Sequence, residues 1–404
     1  MYVPENSGKV KRSDIFLFAL AIVFLAVFLF NYLRKNVSIP EPVTRIVFTQ
    51  WWLEDLEEKD LKQNTLTDLI QEFESLHQGV KIILNYRSYE DLHRVLFHPG
   101  YAAFPGGLLS SDLIALDPLW VPELLKMEVI ESPGPTLLSF INILYYNIEI
   151  LIEAGFSRPP RNRSEFINYA RALTGGGLTM NLKNSRGIYD DVFPWIWAAG
   201  IELIRDGRPA LNTRQFIDSL SFLVSLNNEG LIIHDREDKL EDFILGRAAF
   251  MIAPVRYIRF IRERLGDEAF GITAVPTPDN YAGRNFLASA EWTIGINTTS
   301  EFKEIAQLFA DFLAGNASFL SREARAVSGS DNPPPVYDPF YSKVWEIARA
   351  GEVTQDFSGL PWTELNTIFR EELLSLFAGA LSPAQSATVI QRRWGDVISG
   401  FSPN

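Results

Sequence analysis

Two adjacent tryptophans, Trp51 and Trp52, follow a β-branched apolar run, Ile46-Val47-Phe48-Thr49. Asp117 follows a second such run, Leu113-Ile114-Ala115-Leu116. If both runs are parallel strands, these side chains stand just past strand carboxyl ends, where open α/β sheets hold ligands. An indole offers an apolar stacking face, and a carboxylate accepts hydrogen bonds from hydroxyls. Neighbours in an extended strand point opposite ways, so one tryptophan would face a ligand and the other the core. Asp117 has a second reading of equal weight, as the cap of a helix that begins near Pro118.

Covalent chemistry finds less support. The serine-hydrolase elbow G-x-S-x-G is absent, and Gly175-Gly176-Gly177 has no Lys-Ser/Thr after it, so it is not a phosphate loop. The four histidines are scattered; His93 and His98, five apart, would fall on different helix faces. The chain has no cysteine, which removes disulfides, thiolate metal sites and cysteine nucleophiles. A glycosidase needs only two carboxylates, but an unaligned pair among 50 acids is no signal. The reading is therefore a binding protein with no catalytic residues, no metal site and no cofactor.

The elements that position these residues alternate. Leu66, Leu69, Ile70, Phe73 and Leu76 share one helical face, with Asn64 or Thr65 as cap and Gly79 as stop. Val80, Ile82 and Leu84 alternate as a strand. The order β-α-β-α-β predicts a parallel α/β layer. Further on, Ile141–Tyr146, Ala248–Ala253, Phe270–Val275 and Trp292–Asn297 read as strands. Asn162 with Glu165, and Asn212 with Gln215, have capping-box spacing ahead of amphipathic helices. Phe302–Leu313 reads as helix, 328–335 as a loop, and the remainder as helices. Tyr145, Trp195, Trp197 and Trp362 are expected to be packing residues.

Before this body lies an uninterrupted apolar run, Ile15–Phe30, extended to Leu33. About twenty apolar residues span a bilayer. Residues 15–33 therefore read as an uncleaved transmembrane anchor after a short cytoplasmic segment, 1–14, with 34–43 as a tether. A cleaved signal peptide is the alternative, but Asn31-Tyr32-Leu33-Arg34-Lys35 suits a signal protease poorly. Removing the five bases and two acids of residues 1–35 from totals of 37 and 50 leaves a body of net charge −16. So acidic a body repels phosphate backbones, and nucleic acid is not an expected partner.

The body resembles the family-1 extracellular solute-binding proteins, the sugar-binding components of bacterial ABC importers. The resemblance covers roughly residues 44–395 and rests on short patterns in order. They are Trp51-Trp52, L-I-Q-E-F-E at Leu69–Glu74, H-Q-G-V-K-I at His77–Ile82, and D-L-I-A-L-D at Asp112–Asp117 with Trp120-Val121 after it. L-Y-Y-N at Leu144–Asn147, E-A-G-F at Glu153–Phe156, F-I-L-G-R-A-A-F-M-I at Phe243–Ile252, P-T-P at Pro276–Pro278 and W-T-I-G-I-N at Trp292–Asn297 follow.

The resemblance implies an α/β, two-lobe periplasmic-binding-protein-like (type II) fold with a hinge of crossing strands, preceded here by the N-terminal helix. Crossings are expected near Phe140–Leu144 and Ser289–Thr293. Lobe one would be 44–140 plus 294–318, and lobe two 141–290 plus 325–404. It implies a small solute, a sugar above all, bound in the cleft and delivered to ABC permease subunits by lobe closure. The body would sit on the extracytoplasmic side of the cell membrane. The implied ligand-binding set is Trp51, Trp52, Asp117, Trp120, Arg256, Tyr257, Glu291 and Trp292. Trp120 has an alternative place in the core or on a helix surface. Arg256 stands where the family often has a stacking aromatic, so either Tyr257 substitutes or the ligand is anionic. Many members also carry a G-K-x-Y-G-x-P hairpin before the first crossing; here Glu131-Ser132-Pro133-Gly134-Pro135 leads straight in, which trims one cleft wall. The alternatives to transport are a sensor or interaction module on the same fold, and a cell-surface glycosidase.

Overall fold

The computed structural model describes residues 43–51, 59–97, 110–173, 176–236, 238–283, 285–323, 338–354 and 356–401. The apolar run 15–33, the tether up to Pro42, Trp52 and the loop 328–335 lie outside them. Among the described residues no helix is long and apolar enough to cross a membrane.

The β-rich run forms β1 (Thr44–Gln50), parallel to β2 (Val80–Tyr86) along its whole length and to β3 (Leu113–Leu116) through Phe48 and Thr49. Helix α1 (Lys59–Leu76) connects the first pair, and α2 (Tyr89–Phe97) lies in the second crossover. The helix expected to start at Asn64 or Thr65 begins earlier, at Lys59. Leu66, Leu69, Ile70 and Phe73 are buried as their spacing requires, but Leu76 is exposed. It lies in the last turn, past the edge of the core that the preceding turns cover.

A long strand, β4 (Ile130–Asn147), links two parts of a nine-stranded sheet. The remaining strands are β5 (Gly176–Thr179), β6 (Ile232–Ile233), β7 (Ala248–Pro254), β8 (Phe270–Thr273) and β9 (Ser289–Asn297). The order is β2-β1-β3-β9-β4-β7-β5-β6, with β8 also on β4. Through Ile141, β4 pairs antiparallel with β9; from Asn142 onward it pairs with β7. The sheet thus changes partners between adjacent residues, and β9 begins opposite that point, with Ser289 against Ile141. Register shifts interrupt the β4–β9 ladder beyond Trp292. The strands approach so closely there that a Cβ on Gly134 would collide with the Ile294 carbonyl.

Helices α3 (Arg163–Ala172), α4 (Arg214–Asn228) and α5 (Tyr257–Leu265) cover the second part, as do α7 (Pro339–Ala350), α8 (Trp362–Phe377) and α9 (Pro383–Gly400), whereas α6 (Lys303–Gly315) packs on the first, where Phe309 meets Phe48 and Phe73. Asn162 caps α3 by accepting from the Glu165 N–H. The cap of α4 is Thr213, not Asn212: its hydroxyl accepts from the Phe216 N–H, since the chain turns helical one residue later than the spacing suggested. Tyr145, Trp195, Trp197 and Trp362 are all buried. Trp197 and Trp362 join Phe193, Phe357 and Trp394 in one aromatic cluster beneath α8 and α9.

Candidate functional site

Two cavities lie along the line where β4 and β9 change partners. The first, about 220 Å³, is lined on one side by Trp51, Tyr89, Glu291 and Trp292. Arg186, Asp190, Lys239, Arg256 and Tyr257 face them. Trp51 follows the last residue of β1, and its ring meets Tyr89 edge-on at 4.9 Å and Trp292 at 5.6 Å. Edge-to-face contacts of this kind hold aromatic rings in a fixed attitude. The wall they make is therefore preset in shape. Arg256 immediately precedes α5, and its guanidinium lies 5.1 Å from the Tyr257 ring centre.

The second cavity, about 350 Å³, is lined by Asp117, Leu119, Gly134 and Thr136 of the first part of the fold. Tyr189, Phe357 and Ser358 line it from the other part. Glu291 borders both cavities. Pro133 and Gly134 of the short segment before the first crossing are part of this second wall.

Between them stands a buried ion-pair cluster. Arg186 bonds Asp117 through Nη1, donates to the Ser289 carbonyl at 3.0 Å, and pairs with Asp190 at 3.1 Å. Asn142 donates to Asp190 at 2.9 Å. Burial alone would raise the Asp190 pKa, but the charges of Arg186 and Lys239 outweigh it and hold the carboxyl below its usual value. Burial would likewise lower Arg186, yet Asp117 and Asp190 hold its pKa above the ordinary arginine value. Both groups are charged at neutral pH. Lys239 Nζ is engaged by Asp191 at 2.6 Å and the Ile252 carbonyl at 2.8 Å.

Local chemistry explains how this cluster is placed. Arg186 precedes a five-residue π turn, Ile188–Val192. Pro194, in the short helix Phe193–Trp197, has no N–H to give the Asp190 carbonyl, so the regular ladder is interrupted. A Cβ at Gly187 would collide with the Asn181 carbonyl, so only glycine lets the segment pack there.

Asp117 takes the capping role at the start of the turn that begins at Pro118. Its Oδ1 accepts from the Leu119 N–H at 3.0 Å, as a cap. Its Oδ2 accepts from the Tyr89 hydroxyl at 2.8 Å and meets Arg186. Burial first, then the Asp117 charge, push the Tyr89 pKa well up, so the phenol stays a proton donor. Trp120 is wholly buried, packs against Tyr89 at a tilt with ring centres 4.6 Å apart, and lines neither cavity. Its contribution to the site is support. Six of the remaining residues singled out from the sequence line one cavity or the other: Trp51, Asp117, Arg256, Tyr257, Glu291 and Trp292. Arg186, Asp190, Lys239 and Tyr89 were not foreseen. The available signal was an arginine followed, four residues on, by adjacent aspartates, Asp190 and Asp191, inside an otherwise apolar stretch, Ile188–Ala199.

The profile of the bacterial extracellular solute-binding proteins matches residues 59–318. The chain belongs to this family. The two-lobe architecture of the solute-binding protein is shared with solved structures. The GacH receptor of Streptomyces glaucescens superposes at a TM-score of 0.68 and 14% identity, covering 90% of this chain and 100% of that one. The maltose/maltodextrin-binding domain MalE of Bdellovibrio bacteriovorus, bound to maltotriose, gives 0.66 at 17% identity, covering 88% and 100%. A Thermotoga lettingae ABC transporter solute-binding protein with bound alpha-D-tagatose gives 0.67 at 15% identity, covering 88% and 100%. Among curated proteins, a Brucella abortus binding protein is 27% identical over 144 residues, 33% of this chain and 35% of its own length. The chain thus spans about a third of that relative. An ABC transporter-binding protein of Deinococcus radiodurans is 21% identical over 281 residues, 62% of this chain and 65% of that one.

Glu291 gives a pH test of the site. Burial raises its pKa above the ordinary glutamate value, against the hydroxyls of Ser289 at 3.2 Å and Ser139 at 3.3 Å. A carboxyl raised on folding contributes most below its unfolded pKa, and that contribution is lost as pH rises through the folded value. Glu291→Gln carries no charge at any pH. Its melting temperature should rise above that of the wild type as pH increases beyond about 4.3, and approach it below. A difference that stays flat with pH would show that the carboxyl is not desolvated.

Proposed function

We propose that this protein is a membrane-tethered, extracytoplasmic receptor that binds a carbohydrate in the cleft and delivers it to an ABC importer by lobe closure. The observation that carries the reading is the first cavity. A sugar has apolar C–H faces and a rim of hydroxyls, and this cavity opposes fixed aromatic rings to a ring of charged and amide groups. Lobe one is residues 44–140 with 294–318, and lobe two 141–290 with 325–404. The β4 and β9 strands are the hinge, where a few residues absorb the closing motion. Trp51, Asp117, Glu291 and Trp292 bind from lobe one and the hinge, and Arg256 and Tyr257 from lobe two. Trp52 keeps its place in the proposed set from its position one residue past Trp51. The sugars in the solved relatives, acarbose, maltotriose and alpha-D-tagatose, support the same ligand class. The run Ile15–Leu33 is the proposed anchor, leaving the soluble body outside the membrane; it would hold the receptor at high effective concentration beside its permease.

The test is a thermal-shift screen of the full-length chain against mono- and oligosaccharides. A true ligand at 100 times its Kd stabilises the folded state by about 2.7 kcal/mol, which a melting curve resolves easily. A broad panel with no shift would sink the transport reading and favour a sensor or interaction module. That second reading has one observation of its own, the ion pair that already bridges the cleft.

A further inference from the structure

We propose that Arg186 is a gate that sets the length of sugar the cleft accepts, by dividing one trough into two compartments. This rests on the carbohydrate-binding reading and adds the ligand's size and the residue that decides it. Arg186 borders the first cavity and Asp117 the second, and the bond between them is the partition. Its neighbours repeat the pattern: Asp190 lies on one side and Tyr189 on the other. With the partition in place the compartments hold about 220 and 350 Å³. Small-molecule sites commonly measure roughly 300–1,000 Å³. The first compartment suits a single sugar ring; a longer chain needs both.

The partition is built to release. Only one arm of the guanidinium reaches Asp117; the others hold Asp190 and the Ser289 carbonyl. When the bond to Asp117 parts, Arg186 keeps a carboxylate partner four residues away on its own segment. Asp117 keeps the Tyr89 hydroxyl and the Leu119 N–H. A buried ion pair returns little net stability, because both charges were taken out of water to form it. Sugar hydroxyls, which donate and accept, can satisfy both freed groups. A ligand confined to the first compartment leaves the pair intact, and one that crosses into the second must displace it.

The experiment is calorimetric titration of the full-length chain with glucose, mannose and xylose, and with their linear trisaccharides. The wild type is compared with Arg186→Gln and Asp117→Asn. Asparagine keeps an acceptor oxygen for the Leu119 N–H and turns an amide NH2 to the Tyr89 hydroxyl, which can accept from it, but removes the charge that holds Arg186, so it carries the test if R186Q fails to fold. Both variants should raise trisaccharide affinity relative to the monosaccharide on the order of tenfold, the size of one charge-assisted hydrogen bond no longer displaced. Binding gained only in the variants also supports the gate. A wild type that binds sugar with a length ratio the variants leave unchanged or lower overturns the gate and leaves the proposed function standing. No binding by any of the three proteins overturns both.

Discussion

Replacing Trp394 by alanine is expected to lower the unfolding free energy by about 3–5 kcal/mol. The indole sits on α9, wholly buried. It packs against Phe357 at 5.7 Å, Phe369 at 5.9 Å and Phe193 at 6.3 Å. These rings come from α8, from the turn before it and from the short helix that follows the π turn. Its Nε1 donates to the Leu365 carbonyl at 2.9 Å, tying α9 to α8. Truncation leaves a void where four segments meet, and the surrounding rings cannot all collapse into it. It also strips a buried carbonyl of its side-chain donor. Urea unfolding followed by fluorescence measures the change. A loss under about 1 kcal/mol would mean that the C-terminal helices are held elsewhere. Because Phe357 also meets Tyr189, at 6.1 Å, and Tyr189 carries the Arg186 guanidinium, a large loss ties the stability of the helical layer to the site.

Trp51→Ala is expected to weaken sugar binding by about 2 kcal/mol, roughly 30-fold, as removal of a central interface tryptophan commonly does. Trp51 is nine-tenths buried at the end of β1, and it lines the first cavity. Its neighbours Tyr89 and Trp292 pack edge-on against it, so its loss takes a packing partner from both rings as well as removing its own face. Calorimetry with whichever sugar the thermal screen identifies is the measurement. Full affinity in the variant would mean that the ligand does not use the first cavity.

Several strands were legible in the sequence because their signals are local, while Gly176–Thr179, Ile232–Ile233 and the first part of β4 were not. Ile46–Thr49 and Leu113–Leu116 are apolar and β-branched or aliphatic, and a run of that kind is buried on both faces whatever surrounds it. The residue just past such a strand is placed by the strand itself. Trp51 and Asp117 were found that way, and the start of α3 by its capping residue, Asn162. Errors came where a local signal was nearly degenerate. Asn212 and Thr213 both cap well, and only the path of the preceding chain chooses between them. Trp120 was ambiguous because a tryptophan after a strand end serves a core as readily as a ligand.

The site itself divides along the same line. Sequence alone determined that the body is acidic, free of cysteine, and built of alternating strands and helices, with aromatic and acidic residues at strand ends. Composition and periodicity carry those facts in every short window. Only the tertiary structure decided which of those residues meet. Arg186 and Asp117 are 69 positions apart, and Arg186 sits in a segment whose period is neither helix nor strand. Their bond exists because β4 changes partners between Ile141 and Asn142 and so sets two layers face to face. Long-range charge pairing leaves no mark on the residues around each partner, and no reading along the chain recovers it.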